Sequence, residues 1–74
     1  MKDKILAIIN GIRKAKEMDA LQELGDNLRL REDLGFTSFD LAELTVKIED
    51  EYDIDIFEDG LVTTVGEIFV KLNK

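Results

Sequence analysis

Apolar residues near the start of the chain recur at helical spacing. Ile5, Ile8, Ile12 and Ala15 fall at i, i+3, i+7 and i+10, and Ile9 widens the stripe they make. The pattern predicts a helix from about Lys2 to Met18, with Gly11 as a mild internal weakness. A second stripe, Leu41, Leu44, Ile48 and Tyr52, predicts a helix that starts at Thr37 or Ser38 and ends near Tyr52. Thr37 suits the capping position, and Asp40 in the first turn complements the positive end of the dipole. Thr64-Val65-Gly66-Glu67 matches a capping box, with Thr64 as N-cap and Glu67 reaching back. The helix it opens buries Val65, Ile68, Phe69 and Leu72, and Lys71 and Lys74 sit favourably at its C-terminal end.

Residues 19–37 read as a long connection with Gly25-Asp26-Asn27 as a turn cluster. Leu21, Leu24, Leu28, Leu30 and Leu34 are too many leucines for a solvated linker, so the connection is expected to lie over the bundle. A short turn of helix is expected around Phe57 to Leu61, weakened by Gly60. The fold class is therefore all-α: three main helices plus a minor one, with a long loop between the first two main helices.

Composition sharpens this picture. Seventy-four residues provide one small domain, residues 1–74. The chain has no cysteine and no histidine, which removes disulfides, Cys/His zinc sites and any Ser-His-Asp or Cys-His nucleophile system within the chain. A chain this small has little volume for a substrate cleft, and autonomous catalysis is not expected. The net charge of −7 disfavours nucleic acid and anionic membranes, and favours basic protein partners. The acidity is concentrated: residues 38–59 carry nine acidic side chains and one basic, net −8. The apolar run Ile5 to Ile9 is too short for a signal peptide or a spanning helix, so the expected location is the cytoplasm and the default state a monomer.

Ser38 is the candidate for chemistry. At the start of an acidic helix, its hydroxyl projects where unpaired backbone N–H groups and the positive dipole end favour a phosphate-linked group. Local pattern alone fits an ordinary capping serine better. The surrounding run Glu32-Asp33-Leu34-Gly35-Phe36-Thr37-Ser38-Phe39-Asp40-Leu41-Ala42-Glu43-Leu44 resembles the signature of acyl carrier proteins. That family typically reads Glu-Asp-Leu-Gly, two residues, Ser, a large apolar residue, Asp, two residues, Glu-Leu. Ile48 to Ile56 resembles the family's acidic helix end, and Thr63-Thr64-Val65-Gly66-Glu67 resembles the start of its last helix. The similarity covers Leu30 to Leu72, whereas residues 1–29 agree only in length and helical pattern.

The resemblance implies that Ser38 is esterified by 4′-phosphopantetheine, donated from coenzyme A by a phosphopantetheinyl transferase. The arm's thiol then holds acyl groups as thioesters for fatty-acid or related biosynthesis, and partner enzymes that transfer, condense or activate acyl groups supply the catalysis. Two positions depart from the commonest pattern: Thr37 stands where Asp is usual, and Phe39 where Leu is usual. The missing carboxylate bears on transferase recognition, and the larger Phe39 on the partner set. The resemblance also implies a docking face for basic partners on the second helix, formed by Asp40, Glu43, Glu49 and Asp50, with Phe39 and Val46 among them. A solvated helix face is the plainer reading of the same charges. The acidic run from Asp53 to Gly60 fails both EF-hand registers tried on it, so no metal site is expected. Competing readings are an unmodified acidic adaptor that uses the same face and, more distantly, an enzyme with its own active site.

Overall fold

The structure, a computed structural model, describes residues 2–58 and 60–73. Three helices form its frame: α1, Lys2–Ala15; α2, Ser38–Tyr52; and α3, Val65–Leu72. Helices of 8 to 15 residues are marginal in isolation, so packing of their apolar faces holds them. Ile5, Ile9 and Ile12 of α1 meet Leu44 and Ile48 of α2 and Val65, Ile68, Phe69 and Leu72 of α3 in one core. Each fully buried side chain of this size contributes on the order of 1.5–3 kcal/mol by leaving water.

The long first connection is part of that core. Leu24, Leu30, Leu34 and Phe36 are buried, and Leu21 and Leu28 pack against them, as the leucine content predicts. Its backbone is stitched to the start of α3. Leu30 N donates to Thr63 O at 2.9 Å, Val65 N to Leu28 O at 2.9 Å and Gly66 N to Asp26 O at 3.0 Å. Gly66 suits this approach, because a Cβ there would stand 3.0 Å from Asp26 O and 3.1 Å from Asp26 Cβ. At the N-terminus of α3 the Thr64 hydroxyl accepts from Glu67 N at 3.3 Å. The Glu67 carboxylate reaches one residue further back than a capping box requires, taking bonds from the Thr63 hydroxyl at 2.7 Å and the Thr63 amide at 3.3 Å. These bonds hold its carboxyl below the usual glutamate range.

Three expectations need correction. First, α1 ends at Ala15 rather than Met18. Lys16 to Met18 form a tight turn in which Met18 N donates to Arg13 O at 2.9 Å and Glu17 takes a left-handed φ of 62°. Arg13 is buried and donates to Asp19 O at 3.0 Å and Leu34 O at 2.8 Å, while Asn10 exchanges two hydrogen bonds with the Leu21 backbone. These bonds fold the chain back onto α1. Second, the core stripe of α1 turns toward Ile5, Ile9, Ile12 and Arg13, leaving Ile8 half-buried and Ala15 exposed. Third, the expected minor helix is replaced by turns over residues 56–58, in which Glu58 N donates to Asp55 O at 3.2 Å and Gly60 N to Phe57 O at 3.3 Å. Part of that segment, Asp59, lies outside the described residues, as does Lys74, for which a favourable place at the helix end is expected from the sequence. Ile56 and Val62 bury into the core on either side of these turns, so the segment is held by two anchors rather than by a helical repeat.

Candidate functional site

The start of α2 is built by Thr37. Its backbone is extended (φ −88°, ψ 173°), and its hydroxyl accepts from Asp40 N at 3.2 Å. Asp40 answers by accepting from Thr37 N at 2.8 Å, which completes a capping box. The Asp40 carboxylate also pairs with Lys16, just beyond α1. Lys16 Nζ donates further to Gly35 O at 2.7 Å and lies 5.9 Å from the centre of the Phe36 ring. Gly35 takes φ +74°, a left-handed conformation that glycine adopts without steric cost. The end of α1 is thereby fastened to the start of α2. The Lys16 ammonium and the Thr37 donors hold the Asp40 carboxyl below the usual aspartate range.

Ser38 is the first residue of α2 and is exposed. In a helix the first amide groups have no intrahelical acceptor, so the N–H groups beside Ser38 point outward at the positive end of the dipole. Arg31, from the first connection, donates from Nη2 to Ser38 Oγ at 2.6 Å. Arg31 also lines an apolar cleft of about 370 Å³, together with Leu30, Leu41, Phe57, Leu61 and Val62 among others.

The structure separates the residues expected to form a docking face. Phe39 is 80% exposed and Val46 58%, and Glu49 and Asp50 are also exposed. Glu43 is half-buried and has Lys47 as an ion-pair neighbour at 3.9 Å. Positions 39, 43, 46 and 50 share one outer stripe of α2 at helical spacing. Asp40 does not belong with them. It is 8% exposed and turns inward to Thr37 and Lys16, so its role is structural. The resemblance puts it on the docking face of α2; its capping geometry takes it inside. Arg31 was not expected at all. It lies seven residues before Ser38 in an irregular segment, where no periodicity brings the two together.

The chain matches the family described as "Phosphopantetheine attachment site" over residues 3–68. No curated protein and no solved structure matches it. Members of that family carry a covalently attached 4′-phosphopantetheine group, and the residues around Ser38 fit one. An exposed hydroxyl stands at a helix N-terminus with an arginine in hydrogen-bond contact, and both features favour a phosphodiester. Among the described residues no helix is long and apolar enough to cross a membrane. With the match spanning most of the sequence and an all-α fold beneath it, the chain belongs to the phosphopantetheine-attachment family of acyl-carrier-like domains.

Proposed function

We propose that Ser38 bears the phosphopantetheine arm, and that the chain delivers acyl groups on it to enzymes of fatty-acid or related acyl biosynthesis. The observation that carries this reading is the placement of Ser38: an exposed hydroxyl on the first residue of a firmly capped helix. In the loading step, Ser38 Oγ gives up its proton to the transferase and bonds to the pantetheine-bearing phosphorus of coenzyme A. The diphosphate link breaks and adenosine 3′,5′-bisphosphate leaves. When bound, the arm supplies a terminal thiol, which this cysteine-free chain lacks, to hold the acyl group as a thioester. The chain's own part is presentation, and catalysis belongs to its partners.

The outer stripe of α2 supports a docking role. Phe39 gives an apolar contact next to the attachment point, and Val46, Glu43, Glu49 and Asp50 continue it along the helix. Acids on one face add their fields at the approach to Ser38, which speeds encounter with a basic partner. The apolar cleft lined by Leu41 and Arg31, the latter bonded to Ser38, offers the acyl group shelter from water between encounters.

The test is direct. Apo protein incubated with coenzyme A and a broad-specificity transferase should gain the mass of one phosphopantetheine, mapped to the peptide that holds Ser38. Ser38→Ala should abolish the gain, and modification that persists in that variant would overturn the assignment.

A further inference from the structure

Arg31 and Arg29 sit two residues apart and are committed differently. Arg29 pairs with Asp33 at 3.2 Å and with Glu32 at 3.6 Å. Among the described residues Arg31 has no carboxylate within ion-pair distance, and its guanidinium donates to Ser38 Oγ. A cation in a chain of net charge −7 is thus aimed at a neutral hydroxyl. A hydrogen bond from an exposed guanidinium to an uncharged acceptor is a weak reason to hold a long side chain in place.

We infer that Arg31 is a phosphate-binding residue, which grips the phosphodiester once Ser38 is modified and fixes the direction in which the arm leaves the protein. The inference rests on the assignment of the arm to Ser38. On modification Oγ becomes an ester oxygen and a poor acceptor. The two non-bridging oxygens share a negative charge and lie one bond beyond the phosphorus, within reach of a guanidinium already 2.6 Å from Oγ. The bond is thereby exchanged for a charge-assisted one, for which the planar fork of arginine is suited and lysine less so. The grip comes from one side only. Arg31 belongs to the connection that precedes α2 and lines the apolar cleft, whereas Phe39 and the acidic stripe lie along α2 itself. Arg31 therefore holds the root of the arm on the cleft side of Ser38.

The experiment is a thermodynamic cycle. Wild type, Arg31→Gln, Arg31→Lys and, as a control on a distant cation, Lys47→Gln are each prepared as apo protein. Each is then converted completely to the holo form, with occupancy at Ser38 checked by mass. Thermal melts at low salt give the holo-minus-apo difference in Tm for each, and ³¹P NMR reads the phosphodiester itself. The expected result has four parts. The apo forms of wild type and Arg31→Gln melt within about 2–4 °C of one another, the range of an exposed substitution in a domain this small. The holo-minus-apo difference falls by on the order of 2–4 °C in Arg31→Gln relative to wild type, as expected for one exposed charge pair in a domain this small. Arg31→Lys keeps part of it, and added salt shrinks it. The phosphorus resonance moves in Arg31→Gln and stays in place in Lys47→Gln. Equal Tm differences and an unmoved resonance in Arg31→Gln, with Ser38 fully modified, would overturn the role of Arg31 while leaving the attachment site intact. Wild type that takes no group at Ser38 would overturn both.

Discussion

The two ends of α2 are built on opposite terms. At the start, a complete capping box, the Lys16–Asp40 pair and the Lys16–Gly35 hydrogen bond hold the backbone, and an acid sits where the dipole favours one. At the finish, Glu49, Asp50 and Glu51 crowd the last turn, which holds no basic residue, so their charges oppose the dipole. Lys4 of α1 offsets part of this through an exposed pair with Glu51. The helix then closes on Asp53, a non-glycine residue at φ 57°, whose amide donates to Glu49 O at 2.7 Å. One end is optimised for position. The other carries charges that work against its own dipole. The difference separates a start held by side-chain bonds from an end where like charges gather.

The largest expected effect comes from breaking the ordered end. Asp40→Ala removes the capping partner and leaves Lys16 without its carboxylate, and should cost about 1–3 kcal/mol in urea denaturation. The same residue should shape the acid limb of the stability curve. Its carboxyl is depressed in the folded state below the ordinary value of 3.8. Its contribution is therefore complete above that value and is lost as the pH falls through the lower folded one. Asp40→Asn should flatten the decline in stability below the ordinary value, and an unchanged acid limb would show that other carboxylates govern it.

A smaller effect, of opposite sign, is expected at the far end. Asp53→Gly relieves a left-handed backbone and removes a charge that the dipole disfavours, so it should stabilise by about 0.5–1 kcal/mol. A lower urea midpoint would mean that the Asp53 side chain makes a contribution larger than its strain. A gain of similar size, up to about 1 kcal/mol, is expected for Glu49→Lys combined with Asp50→Lys, since two acids that oppose the dipole in the last turn are replaced by bases that suit it. Circular dichroism should stay helical. Loading by a basic partner should slow several-fold at low salt, with the difference fading as salt is added. Unaltered loading kinetics would show that the stripe is merely solvated.

What could be read in the sequence follows from the range over which each feature is determined. The stripe of α2, the Thr37 and Thr64 caps and the leucine anchors of the first connection are local patterns, and each is found in the structure. The end of α1 is not local. Arg13, Lys14, Ala15 and Lys16 all favour helix, and the stop comes from Arg13 reaching carbonyls at positions 19 and 34. A charged residue on an apolar stripe reads as surface, yet here it is buried because it satisfies the backbone of a loop. Asp40 is a second charged residue turned inward. Its spacing from Thr37 already suggested a capping role, but its partner Lys16 is 24 residues away. Nothing in the pattern joins Arg31 to Ser38, since both lie at the edge of irregular backbone.

The three backbone hydrogen bonds between the first connection and the start of α3 bear on how the protein opens. They tie residues 26, 28 and 30 to residues 66, 65 and 63, far apart in the chain. An eight-residue helix does not persist alone, and a connection without its own repeat does not either. Neither can leave without releasing the other's backbone groups to water, so the two melt as a single cooperative unit. The connection that carries Arg31 thus inherits the lifetime of a helix, although by its own dihedral angles it is a loop.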